Sequence, residues 1–229
     1  MEEAEKKRYR KLYEEGKKQV EFDKFCELSL KAEKMTVKDI QKFYPLLVDP
    51  ILKRRENDPV SMLKNLMKAL ERIWPGKSEL PCHGPWHHAV VPGILLTALR
   101  NRGYAVSDDD IREGIYRGLM LPAAGCAMFG TCGGCAGSAI ALSVLMGSNP
   151  FTPVPRSEVM RASALTHERD AEIVGPRCCK RAFYTAVEVF NEFIEKIGYK
   201  MSYKVKGVCD FSAKNVECLK EDCPYYNHN

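Results

Sequence analysis

The stretch CGGCAGSAIALSVLM, residues 132–146, places two cysteines around a pair of glycines and continues with small and aliphatic residues. Glycines allow close backbone approach and unusual φ values. The run from Cys135 to Met146 predicts a helix rich in small residues, which Gly147 ends. Residues 121–134 are rich in glycine and predict a loop. The stretch therefore predicts a cysteine-bearing loop that leads into a helix.

Other stretches repeat hydrophobic residues at helical spacing, and together they predict a mainly α fold. Ser107, with the three aspartates that follow it, is a typical helix start. Residues 201–206 alternate in polarity and predict the one strand. The remaining predicted helices are one capped by Thr36 that ends at Tyr44, one after Ser61 that ends before Pro75, one through 90–99 that Gly103 stops, one that Ser157 opens, and one through 183–197 that Gly198 ends.

The composition predicts a folded chain of three regions. Its 229 residues are 45% hydrophobic and 28% charged, which is enough apolar material for a core. We expect a charged helical N-terminal region over 1–75, a helical Cys/His-rich core domain over 76–207 and a Cys-rich C-terminal tail over 208–229. The fold class is therefore a mainly α domain with Cys/Gly-rich loops and a short Cys-rich C-terminal segment.

Charge and hydropathy exclude several classes of partner. The net charge of +5 is modest and does not predict nucleic-acid binding. The sequence has no apolar run of about 18 residues and no signal-peptide pattern, so we expect no membrane partner and a cytoplasmic location. Whether the chain is a monomer or a homodimer stays open.

Cysteine is the most informative residue type. The chain holds 10 cysteines and 5 histidines. In a reducing compartment such cysteines more often bind metals or act in catalysis than form disulfides. Cys26 stands alone and is expected to be a buried apolar residue. The other nine cysteines fall into four groups.

The first group is Cys82 with His83, His87 and His88, at the start of a predicted helix. One cysteine and three histidines in seven residues suit metal or cofactor ligation, or proton transfer by a histidine. The alternative is structural: two core or capping histidines and an unused thiol. We expect at least one of these histidines to be the catalytic acid or base and to face the site.

The second group is Cys126 with Cys132 and Cys135. Cys135 is predicted at a helix N-terminus, where the helix dipole favours a thiolate and free N–H groups can hold an anion. The pair Cys132/Cys135 has three interpretations: a redox pair, two zinc ligands, or ligands of an iron–sulfur cluster.

The third group is Cys178 and Cys179, followed by Lys180 and Arg181. Adjacent cysteines at a helix start rarely both bind one metal, so we expect one ligand and one packed or reactive thiol. The basic neighbours lower a thiol pKa. They also suit binding of an anionic substrate, and Lys180 and Arg181 are the predicted substrate-binding residues.

The fourth group is the tail, with Cys209, Cys218 and Cys223. Its spacing does not match a zinc finger, yet three thiols in fifteen residues predict a metal site. A cysteine followed by proline also closes many ferredoxin motifs. We expect a separate tail site, and the alternative is that these thiols complete the main site.

These motifs resemble the domain-of-unknown-function 5714 family, common in methanogens and other anaerobes. The likeness covers roughly residues 60–229 and rests on the Cys82-His83-Gly84-Pro85 start, the Cys132–Cys135 loop, Gly175-Pro176-Arg177-Cys178 and the Cys223-Pro224 end. The family name implies no activity.

A second resemblance is mechanistic. The segment from Cys132 to Ala139, taken with Cys178-Cys179-Lys180-Arg181, is similar to the cluster-binding part of iron–sulfur L-serine dehydratases. That resemblance implies a [4Fe–4S] cluster held by three cysteines, with one iron open to the substrate hydroxyl. The middle ligand of those enzymes has no clear counterpart in this sequence.

The leading hypothesis is an iron–sulfur enzyme that uses an open cluster iron as a Lewis acid on a small anionic substrate. The expected reaction is a dehydration, a desulfuration or a sulfur transfer. Cys132 and Cys178 are the first expected ligands and should converge in the fold, with Cys126 or Cys82 as the third. The alternatives are a structural zinc-binding or interaction module, and a thiol redox protein that uses Cys132 and Cys135.

Overall fold

The computed structural model describes residues 40–76 and 79–228, and within them the chain is mainly α-helical. This confirms the predicted fold class. Helix α1 spans 40–52. The helices after it are α2 (Pro59–Ile73), α3 (His87–Asn101), α4 (Asp108–Leu119), α5 (Gly125–Met128), α6 (Gly133–Leu145), α7 (Pro153–Glu172) and α8 (Cys179–Lys196), followed by two 3₁₀ turns, Ser212–Lys214 and Lys220–Asp222.

Several helix starts follow local capping rules. Ser107 caps α4 in a full capping box, in which its hydroxyl accepts from the Asp110 N–H and the Asp110 carboxylate accepts from the Ser107 N–H. The expected cap of α2 at Ser61 is wrong, because Asp58 accepts from the N–H groups of Val60 and Ser61. A carboxylate is a strong cap, and Pro59 suits the first helical position.

Other helix bounds differ from the prediction where packing overrides local signals. The expected end of the first helix at Tyr44 is wrong: α1 continues past Pro45 to residue 52, because Leu47 and Ile51 on its later turns are fully buried. The predicted cap Thr36 and the isolated Cys26 lie outside the described residues. Helix α7 starts after Thr152 rather than at Ser157.

The predicted strand over 201–206 is wrong. These residues are irregular, although Met201 and Val205 are buried as the alternation suggested. An extended segment forms a strand only beside another, and here it packs on helices. The β pairing found in the described residues is one isolated bridge between Cys209 and Tyr226.

Helix α6 lies at the centre of the fold and contacts α3, α4, α7 and α8. Small residues allow this close packing: a Cβ on Gly137 would meet the Val91 side chain at 2.4 Å. Helix α3 is buried from His87 to Leu99. Gly103 follows it with φ +85°, a conformation that favours glycine.

One cluster of buried hydrophobic side chains runs from Phe43 to Tyr225. The three regions distinguished by composition therefore contribute to one core in the described part of the chain. None of its helices is both long and apolar enough to cross a membrane.

The C-terminal segment folds back onto α8. The Cys209 N–H donates to the Tyr225 carbonyl at 2.7 Å, and the Gly207 N–H donates to Pro224 at 3.0 Å. The buried Tyr225 ring carries a hydroxyl that donates to Glu188 at 2.9 Å and lies 3.0 Å from the Thr185 hydroxyl. These contacts bring the cysteines of the tail against the first turns of α8.

Candidate metal centre

Five of the nine described cysteines line one narrow, partly open cavity. They come from three separate parts of the chain: the loop before α3, the start of α8 and the tail. These cysteines, the thiol cavity below, are Cys82, Cys178, Cys209, Cys218 and Cys223. None of the nine forms a disulfide. The tail thiols thus line the same cavity as Cys82 and Cys178. This arrangement matches the alternative in which the tail completes the main site.

Cys178 is the cavity thiol whose sulfur accepts hydrogen bonds from two N–H groups. It is the N-cap of α8, and its Sγ accepts from the Arg181 N–H at 3.4 Å. The Asn215 side-chain amide donates to the same sulfur at 3.7 Å. Such N–H donors stabilise a thiolate and are typical of metal and cluster ligands.

The tail carries its cysteines on tight turns. The Cys218 N–H donates to the Asn215 carbonyl at 3.0 Å, and the Cys223 N–H donates to Lys220 at 2.8 Å. Cys218 Sγ accepts from the Lys220 N–H at 3.4 Å. Gly175 holds this region close to the core, since a Cβ there would meet the Leu219 side chain at 2.8 Å. The tail is therefore an ordered wall of the thiol cavity.

Lys180 lines the cavity and is almost fully buried. Its ammonium donates to the Cys82 carbonyl at 2.9 Å and to His87 Nε2 at 2.6 Å. It also lies over the rings of Trp86 and Phe211. Burial lowers the pKa of Lys180, while Cys82 acts in the opposite direction. The site thus holds an amine beside the thiols.

Arg181 also lines the cavity, but its guanidinium is held by protein groups. It forms a salt bridge to Asp170 at 3.1 Å and donates to the Pro176 carbonyl at 3.0 Å. Both side chains are largely buried. Arg181 can therefore add positive charge at the cavity, whereas Lys180 presents its charge among the thiols.

Tyr184 contributes an unpaired polar group to the cavity. Its side chain is 0% exposed, and its hydroxyl has no hydrogen-bond partner among the described residues. The Cys209 thiol is near enough to affect the phenol, whose pKa is raised mainly by burial, but it does not meet hydrogen-bond geometry. A buried hydroxyl is normally paired. This one is available to a ligand in the cavity.

His83 orients the side chain of Asn215. Its Nε2 donates to the Asn215 side-chain oxygen at 3.0 Å, and its Nδ1 accepts from the Cys179 N–H at 3.4 Å. Burial lowers its pKa and favours the neutral ring. His83 thereby orients the amide that donates to Cys178.

His87 and His88 are buried in α3. His87 Nδ1 donates to the Gly84 carbonyl at 3.1 Å, which leaves Nε2 to accept from Lys180. His88 Nδ1 donates to the Leu121 carbonyl at 3.2 Å. Burial lowers the pKa of both rings. None of the three predicted catalytic histidines is among the residues that line the cavity.

The other four cysteines lie apart from the cavity lining. Cys132 is the N-cap of α6 and Cys135 lies in its first turn, while Cys126 is exposed in α5. Cys179 is packed against Gly84, and burial raises its pKa to about 12. The cavity thus joins Cys178 to the tail thiols, and Cys132 is not among its lining residues.

Burial sets the charge of the cavity thiols. It raises the pKa of Cys82, Cys223 and Cys209, the last to about 11. These thiols stay protonated at neutral pH unless a bound cation replaces the proton. Metal binding at such a site releases protons, since thiolates are the ligands.

The five thiols of the cavity are soft donors, the kind that zinc and iron–sulfur clusters prefer. Four thiolates on one zinc stand about 3.8 Å apart for Zn–S bonds of about 2.3 Å. In the described residues no three Cys, His, Asp or Glu side chains come close enough to hold a single ion.

Sequence reasoning missed the polar residues around the thiols. In the sequence, these residues are far from the cysteines that they approach in the fold. They are Asn215, Asp170 and His167. Tyr184 did carry a signal, because it follows Lys180 by four positions and so shares its face of α8.

The fold and the cavity define a mainly helical, cysteine-rich protein. The chain belongs to the family of unknown function DUF5714, whose model matches residues 47–226. This confirms the resemblance drawn from the motifs. No curated protein and no solved structure matches the chain significantly. The resemblance to L-serine dehydratases stays a prediction.

Proposed function

We propose that this protein is an iron–sulfur enzyme that binds a [4Fe–4S] cluster in the thiol cavity and acts on a small anionic substrate. The observation that carries the proposal is the convergence of five thiols from three distant parts of the chain on one cavity. Soft thiolate ligands select iron–sulfur clusters and zinc over hard cations.

Three or four of the five thiols would hold the cluster. Cys178 is the first candidate, because two N–H groups already point at its sulfur. Cys82 and the tail cysteines supply the others. Bound through three thiolates, a cluster offers one open iron as a Lewis acid, which suits dehydration, desulfuration or sulfur transfer.

The remaining lining residues balance charge and hold protons. Lys180 and Arg181 offset the negative charge of the thiolates, which lowers the cost of burying them. Lys180 Nζ and the unpaired Tyr184 hydroxyl are two proton donors among the residues that line the cavity. We therefore move the acid or base role from the three histidines to these two groups, with His87 holding Lys180 through Nε2.

The first test is metal and sulfide analysis of protein purified without oxygen. The proposal predicts iron and acid-labile sulfide in equal amounts, with a brown colour. Zinc without sulfide would contradict it and support a structural zinc module.

Paired substitutions locate the site. Cys178→Ala should lose iron, sulfide and colour together, because it removes the best-supported ligand. Cys126→Ala is the matched control, since this exposed thiol lies outside the cavity lining and should keep all three. The reverse pattern would place the cluster at the start of α6 instead.

A further inference from the structure

Cys132 and Cys135 form a close pair of thiols at the start of α6. Cys132 is the N-cap and Cys135 lies three positions later. The side chain of an N-cap residue lies beside the backbone of the third helical residue, which in α6 is Cys135. The Cβ atoms of a disulfide stand about 3.5–4.5 Å apart, so a shift of this first turn that brings the two cysteines to that distance can join them. The two side chains lie close enough for each to shift the pKa of the other.

We propose that Cys132 and Cys135 are a redox-active dithiol that reduces disulfides, distinct from the thiol cavity. Neither cysteine is among the residues that line that cavity. The dithiol is therefore a second chemical site on the protein, and it does not depend on a bound cluster.

Disulfide reduction needs one accessible thiol that attacks and one protected thiol that follows, and the two cysteines differ in exposure in this way. Cys132 is partly exposed, whereas Cys135 is 0% exposed. A disulfide on another molecule can reach only Cys132. Cys132 is thus the attacking thiol, and Cys135 is the thiol that resolves the mixed disulfide.

Electrostatics favour the same assignment. The Cys135 thiol, helped by the backbone N–H groups of Cys135 and Gly134, lowers the pKa of Cys132 to about 7 against the effect of burial. Near neutral pH a large fraction of Cys132 is therefore thiolate, the reactive form. The adjacent Cys132 sulfur and burial raise the pKa of Cys135. Cys135 therefore stays protonated until the mixed disulfide has formed on Cys132.

A proton acceptor for Cys135 is in place. The negative charge of the Asp170 carboxylate lies near Cys135 and helps to raise the pKa of its thiol. Arg181 holds this carboxylate through its salt bridge at 3.1 Å. Asp170 can therefore take the proton when Cys135 attacks.

The surrounding residues hold the turn rigid. The Cys132 N–H donates to His167 Nε2 at 3.0 Å, and His167 Nδ1 donates to the Ser163 carbonyl at 2.7 Å. Gly133 lies against the His88 ring, where a Cβ would come within 2.3 Å. A Cβ on Gly134 would likewise meet Ala182 Cβ at 2.9 Å, so close packing requires both glycines between the cysteines.

The proposed reaction is a thiol–disulfide exchange in two steps. The Cys132 thiolate attacks one sulfur of a substrate disulfide, forms a mixed disulfide and releases the first substrate thiolate, which takes a proton from solvent. Cys135 then loses its proton to Asp170 and attacks Cys132 Sγ, which releases the second substrate thiolate. This thiolate takes the proton from Asp170, so the carboxylate is restored. The substrate gains two electrons, the dithiol loses two, and a separate dithiol reductant restores it.

The test treats the reduced full-length protein with oxidised glutathione without oxygen and maps the cysteines by mass spectrometry. The wild-type protein should lose two hydrogen atoms and show a Cys132–Cys135 linkage. Cys135→Ser should trap one glutathione on Cys132, because the resolving thiol is gone. Cys132→Ser should carry no glutathione on Cys135, which is buried.

Further variants make the result decisive. Cys126→Ser should react as the wild type does, and a Cys126–Cys132 linkage would overturn the assignment of Cys135. Cys178→Ala should keep the linkage whether or not it binds a cluster, which separates this proposal from the proposed function. Loss of iron or zinc in Cys132→Ser, with both thiols unreactive in the wild type, would show a metal site and overturn the dithiol.

Discussion

At the scale of single residues, removing a hydroxyl from Tyr184 and from its neighbour Tyr225 should change stability in opposite directions. Tyr184→Phe removes a buried hydroxyl that has no partner in the described structure. An unpaired buried hydroxyl is destabilising, so we expect the free energy of unfolding of the metal-free protein to rise by about 1 kcal/mol. Urea unfolding of the metal-free protein measures it.

Tyr225→Phe is the matched control, because its hydroxyl bonds to Glu188 and Thr185. The same atom is removed, yet here the free energy of unfolding should fall by about 1–2 kcal/mol. If Tyr184→Phe were equally destabilising, its hydroxyl would have a partner in the metal-free protein, and its availability to a ligand would be disproved.

The buried histidines predict a pH dependence of stability. The pKa of His87 and of His88 lies below the ordinary value of 6.5 in the folded protein, while the unfolded chain regains that value. Below pH 6.5 the unfolded state therefore binds more protons, and stability is lost as the pH falls. Each histidine contributes at most about 1.4 kcal/mol per pH unit, and only between that value and its own folded pKa, and His83 acts in the same direction.

Urea unfolding at a series of pH values below neutrality measures this effect. Carboxylates remain ionised over the first unit or more below pH 6.5, so the histidines dominate there. His88→Gln should reduce the slope of the free energy of unfolding against pH by the contribution of His88. This reduction is expected whatever the effect of the substitution on stability itself. A slope that is unchanged in this variant would show that His88 titrates alike in both states.

The residue types of the site were predictable, but their grouping was not. Cysteines in a chain expected to be cytoplasmic indicate soft ligands wherever they occur. Which thiols meet depends on how the tail returns to α8, and that return depends on Tyr225 and Asn215, which carry no sequence signal of their own. The expected convergence of Cys132 with Cys178 stays a prediction.

At the scale of elements, the contact between α3 and α4 depends on Gly118. A Cβ at this position would lie 2.3 Å from the His88 carbonyl oxygen, a backbone atom that cannot move alone. Gly118→Ala should therefore lower the free energy of unfolding by roughly 1–3 kcal/mol, despite the better helix propensity of alanine. Thermal or urea unfolding measures it.

Gly114→Ala in the same helix is the control. Its Cβ would meet the end of the flexible Leu96 side chain at 2.7 Å, which can rotate away. We expect a change close to zero, because the gain in helix propensity offsets the adjustment. Equal losses in both variants would mean that helix geometry, not the backbone contact, sets the requirement for glycine.

Helix positions followed well from hydrophobic spacing and caps, as at Ser107 and Gly103. The errors occurred where local signals competed with packing. Pro45 suggested a helix end, but the burial of Leu47 and Ile51 continues α1 beyond it. The alternation at 201–206 correctly indicated burial, yet it could not show that the neighbours are helices.

At the scale of the whole molecule, the tail should be essential for the cavity but not for the helical core. Truncation after Gly207 removes three of the five cavity thiols. We expect the truncated protein to keep its helical circular dichroism, with lower stability, and to lose the iron–sulfur absorption. Survival of that absorption would restore the interpretation of a separate tail site.

A full-length variant separates ligand loss from structural loss. It replaces Cys209, Cys218 and Cys223 by serine and keeps the Tyr225 contacts with α8. It should also lose the absorption while keeping more stability than the truncation. If it kept the absorption, Cys82 and Cys178 would need partners other than the tail.

The return of the tail also sets an order of events during synthesis. Cys223 follows Cys178 by 45 positions (223 − 178), and both line the same cavity. At about 5–20 residues per second, a ribosome needs roughly 2–9 s to cover that interval. During this time Cys82 and Cys178 belong to a nascent chain whose enclosing wall has not yet been made. Their exposure to oxidants and stray metal ions is therefore greatest before the protein is finished.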